Sequence, residues 1–315
     1  MPISAVPRRA RAADPDRLPW VAGVLLAVGA FVAVTNEALP AGLLLQMSAG
    51  LGATEAEAGL LVGVFALTVA LTSAPLTILL GRIERRRLIQ VALVLIAVAA
   101  VATAMSATFP GAMAARVAGG LGHGLFWATV NAYLARIASA RHLPTLLAFT
   151  QTGGSLAFVL GVPVGASVGQ AFGWPVPFLA IAALTALLAV LALRLPQVPG
   201  RPPAPRRERG SARDASIPAT ATVCAAVAVV MIGAFTFSTF AVPWLETRAG
   251  VPTEAVPLVL LAGGGASVAA QLTIAIRLGR APARGVVVAG VAFLVIGALL
   301  TVLPAGSPAV VGWVV

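Results

Sequence analysis

The chain consists largely of apolar runs of about 20 residues, and short Arg-rich connections separate them. A run of that length is what an α-helix needs to cross the hydrocarbon core of a bilayer. Hydrophobic residues make up 59% of the chain and charged residues only 10%, and the mean hydropathy is +0.99. Soluble domains carry roughly 25% charged residues. The sequence therefore predicts an all-α membrane protein.

We predict nine complete spans and the start of a tenth. The nine lie near residues 20–45, 57–80, 88–107, 110–135, 144–169, 174–194, 219–244, 255–276 and 285–304, and the tenth run begins near Pro308. Residues 195–218 are rich in Pro and Arg, so we expect a disordered cytoplasmic linker there. The predicted organisation is a cytoplasmic tail at 1–19, a six-helix bundle at 20–194, the linker, and an incomplete helical bundle at 219–315.

The positions of the arginines predict the orientation of the spans. Of the 21 arginines, 19 fall in the tail or in connections on one side of the predicted spans, and the exceptions are Arg116 and Arg248. Basic residues concentrate on the cytoplasmic side of membrane proteins. We therefore expect a multi-pass protein of the cell membrane with a cytoplasmic N-terminus. This topology explains the net charge of +11, so we expect no nucleic-acid partner, and we expect a monomer in the bilayer.

Two short matches indicate that the second half of the chain repeats the first. The sequence TEA at 54–56, before the second span, recurs at 253–255 before the eighth, and LGR at 80–82 recurs at 278–280. The two offsets are nearly equal, and the matches fall at equivalent topological places. Duplicated halves around a midplane site are common in transporters.

Two ionisable side chains lie inside predicted spans at similar depth, Glu37 in the first and Arg116 in the fourth. A charge in hydrocarbon costs at least about 3 kcal/mol, so such residues face a bundle interior or a wet cavity. At about 100° per residue, one narrow face of the fourth span carries a polar stripe. Its members are Arg116, Gly120, His123, Trp127 and Asn131. We expect this stripe to face a water-filled pathway.

We assign Glu37, Arg116 and His123 as candidate proton-coupling residues. Protonation of Glu37 would release Arg116 and shift the balance between two access states. The alternative is a fixed ion pair that orients two helices. His123 is either a proton relay or a histidine that hydrogen-bonds a neighbouring helix.

Further residues are candidates for substrate contact or for gating. The candidate substrate-cavity residues are Asn36, Trp127, Asn131, Gln151 and Ser155, and Trp127 is alternatively a packing residue. Small residues four apart let helices approach closely, as in simple helix packing. Such residues are Gly161, Gly165 and Gly169 around Pro163. The basic cluster that follows Gly81 and includes Arg82 and Arg86 is by itself a topology signal.

Four segments resemble the major facilitator superfamily, specifically its drug and sugar efflux branch with the arabinose-efflux-like permeases. They are TNEALPAGLLLQMSAGLGAT (35–54), LLGRIERRRLI (79–89), ARVAGGLGHGLFWA (115–128) and TGGSLAFVLGVPVGASVGQAFGW (152–174). They resemble the first-helix signature, the cytoplasmic loop signature, the fourth-helix arginine motif and the fifth-helix antiporter motif. The resemblance implies a major-facilitator-type bundle, proton-driven antiport and drug resistance. It also implies a hinge and seal at the glycines around Pro163, and a role of the loop from Gly81 to Arg86 in closing the cytoplasmic side.

Two departures from the family pattern accompany this resemblance. Gly81 stands where the loop signature usually has Asp, and members usually have twelve spans. This sequence lacks most of the tenth span and the last two, so we keep alternatives open: a fragment of a longer transporter, or a truncated protein that does not transport or acts as a regulatory partner. An uptake permease is a further alternative.

Enzyme motifs are absent from the sequence. It has no metal-ligand spacing, phosphate loop or nucleophile elbow, and it has no ATP-binding domain. We therefore expect no enzyme activity and no cofactor. Our leading hypothesis is export of a small molecule, driven by a proton gradient.

Overall fold

The computed structural model describes residues 19–200, 216–263 and 265 of the 315-residue chain. Within these ranges the protein is built from helices and short connections, with no β-strand. The α-helices are α1 Trp20–Gly42, α2 Leu44–Leu51, α3 Glu55–Leu79, α4 Arg85–Ala104, α5 Phe109–Ile137, α6 Leu143–Leu156, α7 Val162–Phe172, α8 Pro175–Leu191 and α9 Ser216–Thr247. The predicted all-α fold is confirmed.

Several helices are long enough to cross a membrane. Among the described residues, five meet the requirement in both length and apolar composition, namely Trp20–Gly42, Glu55–Leu79, Arg85–Ala104, Thr145–Phe172 and Pro175–Arg194. The fourth of these joins α6 and α7 through a π-helical turn at Ala157–Gly161. α5 has the length of a span at 29 residues and carries the polar stripe. The helices correspond to the first six predicted spans.

Parts of the predicted organisation lie outside the described residues. These are the tail up to residue 18, the linker from 201 to 215, the predicted span at 285–304 and the run from Pro308. The predicted span at 255–276 is described only in its first part, which forms the short apolar helix Thr253–Gly263. The second copy of TEA therefore lies at a helix start, as the first copy does.

Local sequence signals fix where two of the central helices begin. Thr54 caps α3 by accepting a hydrogen bond from the backbone N–H of Glu57 at 3.2 Å, while the Glu57 carboxylate accepts from the backbone N–H of Thr54 at 2.8 Å. This reciprocal pair is a capping box. The Thr108 side chain caps α5 by accepting a hydrogen bond from the backbone N–H of Gly111 at 3.4 Å, and Pro110 lies in the first turn, where its missing N–H costs nothing.

α5 is the central helix of the first bundle and packs between α3 and α4, while α1 packs along α6 and α4 also contacts α8. The core between these helices contains Leu26, Ile89, Phe126 and Tyr133, all of them fully buried. Gly153 touches the backbone of Ala27, so no side chain fits between α6 and α1 there. This close packing holds the polar groups of α5 against α1 and α3.

The segment that follows α8 folds back onto the first bundle. The hydroxyl of Tyr133 donates to the carbonyl oxygen of Pro196 at 3.0 Å. The backbone N–H of Arg85 donates to the carbonyl oxygen of Val198 at 2.9 Å. Leu195 and Val198 are buried in the core. Residues 195–200, predicted as the beginning of a disordered linker, are therefore packed against α4 and α5, since their apolar side chains bury there.

Candidate functional site

Arg116 lies at the centre of the site, in the first half of α5, and is 1% exposed. Its guanidinium donates three hydrogen bonds, and all three acceptors are backbone carbonyl oxygens. Nε donates to Leu61 at 3.1 Å, Nη1 to Asn36 at 2.7 Å and Nη2 to Glu37 at 2.7 Å. One buried cation thus joins α5 to both α1 and α3.

Pro40 explains why α1 offers a carbonyl group to Arg116. It lies inside α1 and has no N–H, so the carbonyl oxygen of Asn36, four residues earlier, lacks its helical donor. A buried carbonyl left without any donor costs about 1 to 3 kcal/mol. The guanidinium supplies that donor from a neighbouring helix.

The carboxyl group of Glu37 contacts His123 instead of Arg116. Oε2 of Glu37 lies 3.3 Å from Nε2 of His123. Among the described residues, no carboxylate oxygen lies within 4.0 Å of the guanidinium. The expected side-chain contact between Glu37 and Arg116 is therefore replaced by a contact with the Glu37 backbone, because the guanidinium is already directed at the carbonyl groups of α1 and α3.

Both ring nitrogens of His123 have a partner. Nδ1 lies 3.3 Å from the carbonyl oxygen of Ala33, and because a carbonyl only accepts, Nδ1 must donate. In a neutral ring Nε2 then has no proton to offer Glu37. The contact between Glu37 and His123 is a hydrogen bond only when one further proton lies between them.

The aromatic ring of Phe65 on α3 covers these polar groups. Cζ of Arg116 lies 4.2 Å from the centroid of the Phe65 ring, and the His123 ring meets Phe65 edge-on with centroids 5.3 Å apart. A desolvated cation over an aromatic face gains about 2 kcal/mol. Trp127 lies further along α5, with its ring 6.3 Å from that of His123.

Sequence reasoning missed Phe65, Leu61 and Pro40. The first two carry no signal, because an apolar residue in an apolar helix looks like any other. Pro40 did carry one, since a proline inside a predicted span leaves a carbonyl group in need of a donor.

The polar stripe of α5 is packed against other helices over its first two turns. Arg116 and His123 are 1% and 4% exposed, and Gly120 lies against the backbone of Phe65. Trp127 is half-buried and Asn131 is exposed. The expected water-filled pathway is therefore wrong for this part of the stripe, because carbonyl groups and Glu37 take the place of water as partners.

A cavity of about 180 Å³ lies close to this cluster. α1, α9 and the short helix contribute most of its described wall, with further residues from α3, the π-helical turn and the start of α7. Wall residues include Ala38, Ala41, Val62, Phe237, Thr239 and Val259. Ala41 follows Glu37 by four residues, so the cavity begins one helical turn from the carboxyl group.

The five predicted substrate-cavity residues are not among the described residues that line this cavity. Asn36 is 1% exposed, and its Oδ1 has no hydrogen-bond partner within the described structure. Trp127 and Ser155 are half-buried, whereas Asn131 and Gln151 are exposed. The structure does not gather these five side chains at one place, and their contact with a substrate stays a prediction.

The glycines of the fifth span meet α1 in register. Gly161 faces Thr35, Gly165 faces Leu39 and Gly169 faces Leu43, and at each position an added Cβ would clash. Pro163 is buried just after the π-helical turn. Small residues at four-residue intervals therefore let α7 and the turn lie directly on α1.

The basic loop after α3 contacts the end of α8. Nη1 of Arg86 donates to the carbonyl oxygens of Leu193 and Leu195 at 3.1 and 3.3 Å, and Nε of Arg86 lies 3.4 Å from the Glu84 carboxylate. Gly81 is buried, whereas Arg82 is exposed. Of the predicted gating residues in this loop, Arg86 is thus the one that reaches a helix end.

Residues 26–315 match the sequence profile of the Major Facilitator Superfamily. The range includes the described part of the second half and all of the first bundle except the first residues of α1.

Solved structures of transporters resemble this chain. A bacterial homologue of the human lysosomal transporter Spinster, inward-facing and unoccupied, has a TM-score of 0.72 at 16% identity, over 95% of this chain and 72% of that one. A D-xylose-proton symporter has a TM-score of 0.60 at 18% identity, over 82% and 69%. A peptide transporter in complex with sulfate has a TM-score of 0.51 at 17% identity, over 88% and 55%. At such identities the likeness shows the fold, a helical bundle of the major facilitator type.

Proposed function

Because this chain belongs to the Major Facilitator Superfamily, we propose that it is a secondary active transporter that exports a small molecule, such as a drug, sugar or metabolite, in exchange for protons. It works by alternating access in the cell membrane, with its N-terminus in the cytoplasm. It acts as a monomer and needs no cofactor besides the proton gradient.

The contact between Glu37 and His123 is the observation that supports proton coupling. Since Nδ1 of His123 donates to Ala33, the 3.3 Å contact at Nε2 needs one shared proton. We place the proton on Glu37, because the contact then joins a neutral carboxylic acid to a neutral imidazole. With the proton on His123, a carboxylate and an imidazolium would both be buried beside Arg116. The described arrangement then corresponds to the protonated state of the carrier.

Loss of this proton breaks the bond and changes the forces on α1. A carboxylate facing the lone pair of Nε2 is repelled by it, whereas the guanidinium of Arg116 attracts the new negative charge. The same guanidinium holds the carbonyl groups of Asn36 and Glu37. Deprotonation therefore makes the carboxylate compete with the backbone of α1 for one cation, and this competition biases the two access states.

Exchange of the proton with solvent requires a route to Glu37. Its side chain is 12% exposed, whereas that of His123 is 5% exposed, so Glu37 is the more accessible of the two groups. We accordingly assign proton exchange to Glu37, with His123 as the group that holds the protonated acid in place. Arg116 acts as the counter-charge after release.

The test uses everted membrane vesicles that contain the full chain and carry an imposed pH gradient, reported by a pH-sensitive dye. A panel of antibiotics, sugars and nucleosides is added one compound at a time. A transported compound dissipates the gradient with the parent protein. We expect the Glu37→Gln variant to lose this response, because glutamine does not release a proton.

The matched control is Glu55→Gln, which removes an exposed carboxylate from the first turn of α3. It should respond like the parent. Equal responses from Glu37→Gln and the parent would refute the assignment of Glu37. A second experiment imposes the gradient with the acidic side outside the vesicles. If a radiolabelled compound then enters the vesicles together with the protons, the direction proposed is reversed.

A further inference from the structure

We propose, on the basis of the transport function above, that the substrate is an apolar molecule with a group about the size of one aromatic ring, and that this group occupies the cavity formed mainly by α1, α9 and the short helix Thr253–Gly263. The cavity wall, its polar groups and its size carry this inference.

The described residues that line the cavity are apolar with one exception. Its described residues include the alanines at 38 and 41, Val62, Val242 and the rings of Phe158 and Phe237. Thr239 is the polar side chain among them, and it already makes a contact of its own inside the protein. A ligand in this space gains mainly from removing apolar surface from water.

A larger crevice adjoins the cavity and has the same character. It measures about 550 Å³, lies between α3 and α9, and shares Val62 and Thr239 with the cavity. Its second hydroxyl, that of Thr236, donates to the carbonyl oxygen of Ile232 within α9 at 2.7 Å. The two spaces are thus neighbours with common wall residues, and the Thr236 hydroxyl hydrogen is already used within α9.

Sugars and peptides are poor ligands for such a region. Each hydroxyl or amide buried without a partner lowers affinity by about tenfold or more. An apolar ring has no such requirement, and cavities of about 150 Å³ lined by aliphatic and aromatic groups hold benzene. The cavity of about 180 Å³ has room for one ring, and the crevice has room for the rest of a drug-sized molecule.

The test measures binding to the full chain in lipid nanodiscs without any pH gradient. The probe is N-phenyl-naphthylamine, whose fluorescence rises in apolar surroundings, with empty nanodiscs subtracted. D-xylose and dialanine are the hydrophilic comparators, measured by calorimetry. We expect saturable binding of the probe and no detectable binding of either comparator.

Two variants place a tryptophan in different apolar cavities. Ala41→Trp fills the proposed site, whereas Ala180→Trp fills a separate cavity of about 260 Å³ between α1, α7 and α8. We expect Ala41→Trp to weaken probe binding about tenfold or more, and Ala180→Trp to leave it within about twofold of the parent. If Ala41→Trp prevents folding, the smaller change Ala41→Leu takes its place. It should weaken probe binding by a factor between about twofold and about tenfold.

The outcomes separate this inference from the proposed function. Saturable binding of D-xylose or dialanine without binding of the probe overturns the apolar substrate class, even if proton-coupled transport is observed. Unchanged probe binding in Ala41→Trp overturns the site. A parent protein that binds the probe as expected but shows no proton-coupled transport of any compound refutes the proposed function and supports the site.

Discussion

Arg116 donates its Nη1 hydrogen bond to the carbonyl oxygen that Pro40 leaves without a helical donor. Two features that look like defects in apolar helices, a charge in α5 and a proline in α1, thus satisfy each other. The guanidinium lies at this position because three carbonyl groups from α1 and α3 converge on it. The neighbouring carboxyl group of Glu37 contacts His123 instead of the guanidinium.

The first prediction concerns the energetic coupling of Arg116 and Pro40. Arg116→Met should destabilise the purified protein by about 3 kcal/mol or more, since it leaves three buried carbonyl groups without that donor. In a Pro40→Ala background the loss should be smaller by about 1 kcal/mol or more, because alanine at this position gives the Asn36 carbonyl its helical N–H donor. Denaturant unfolding of the parent, the two single variants and the double variant measures this coupling.

Pro75, which also lies inside a helix, provides the control. Pro75→Ala should leave the cost of Arg116→Met unchanged, because Arg116 donates no hydrogen bond to the carbonyl oxygen of Leu71, which is the one that Pro75 leaves without a helical donor. Equal costs of Arg116→Met in the parent and in Pro40→Ala would show that the guanidinium does not compensate for the proline.

The second prediction concerns the proton between Glu37 and His123. Infrared difference spectra between low and high pH should contain a carbonyl band of a buried protonated carboxylic acid, which disappears as pH rises. The band must weaken as pH rises, because loss of the shared proton converts the carboxylic acid of Glu37 to a carboxylate that faces the lone pair of Nε2 of His123. Glu37→Gln should lack the band, and Glu55→Gln should retain it. A band that survives in Glu37→Gln would assign the proton elsewhere.

The arrangement of secondary structure followed from the sequence much better than the details of the site. The lengths of the apolar runs predict the spans because the bilayer sets the length of each crossing. Glu37, Arg116 and His123 could be selected because polar residues are rare in such helices. Their pairing could not be predicted, since it depends on which carbonyl groups meet the guanidinium across three helices. The cavity wall escaped prediction for the opposite reason, because its alanines and valines resemble every other apolar residue in the chain.

The third prediction concerns the segment that follows α8. Tyr133→Phe should destabilise the first bundle by about 1 kcal/mol, since it removes the hydrogen bond to Pro196. Detachment of residues 195–200 should also speed trypsin cleavage after Arg194, which is exposed at the end of the 3₁₀ turn that follows α8. Cleavage after Arg141, outside this segment, should keep its rate. If both sites are cut at the parent's rate, the Tyr133 bond does not hold the segment in place.

The fourth prediction concerns the contact between Gly161 and Thr35. Gly161→Ala should destabilise the protein by about 1 to 3 kcal/mol, because its Cβ would clash with the Thr35 side chain where the π-helical turn lies on α1. Gly63→Ala is the matched control, because its Cβ would meet no atom within 4 Å, and it should be neutral or stabilising. Combining Gly161→Ala with Thr35→Ala should recover part of the loss, since the second change removes the atoms that clash. Thermal unfolding of the purified variants measures all three effects, and a Gly161→Ala variant as stable as Gly63→Ala would mean that α1 and the turn can separate without cost.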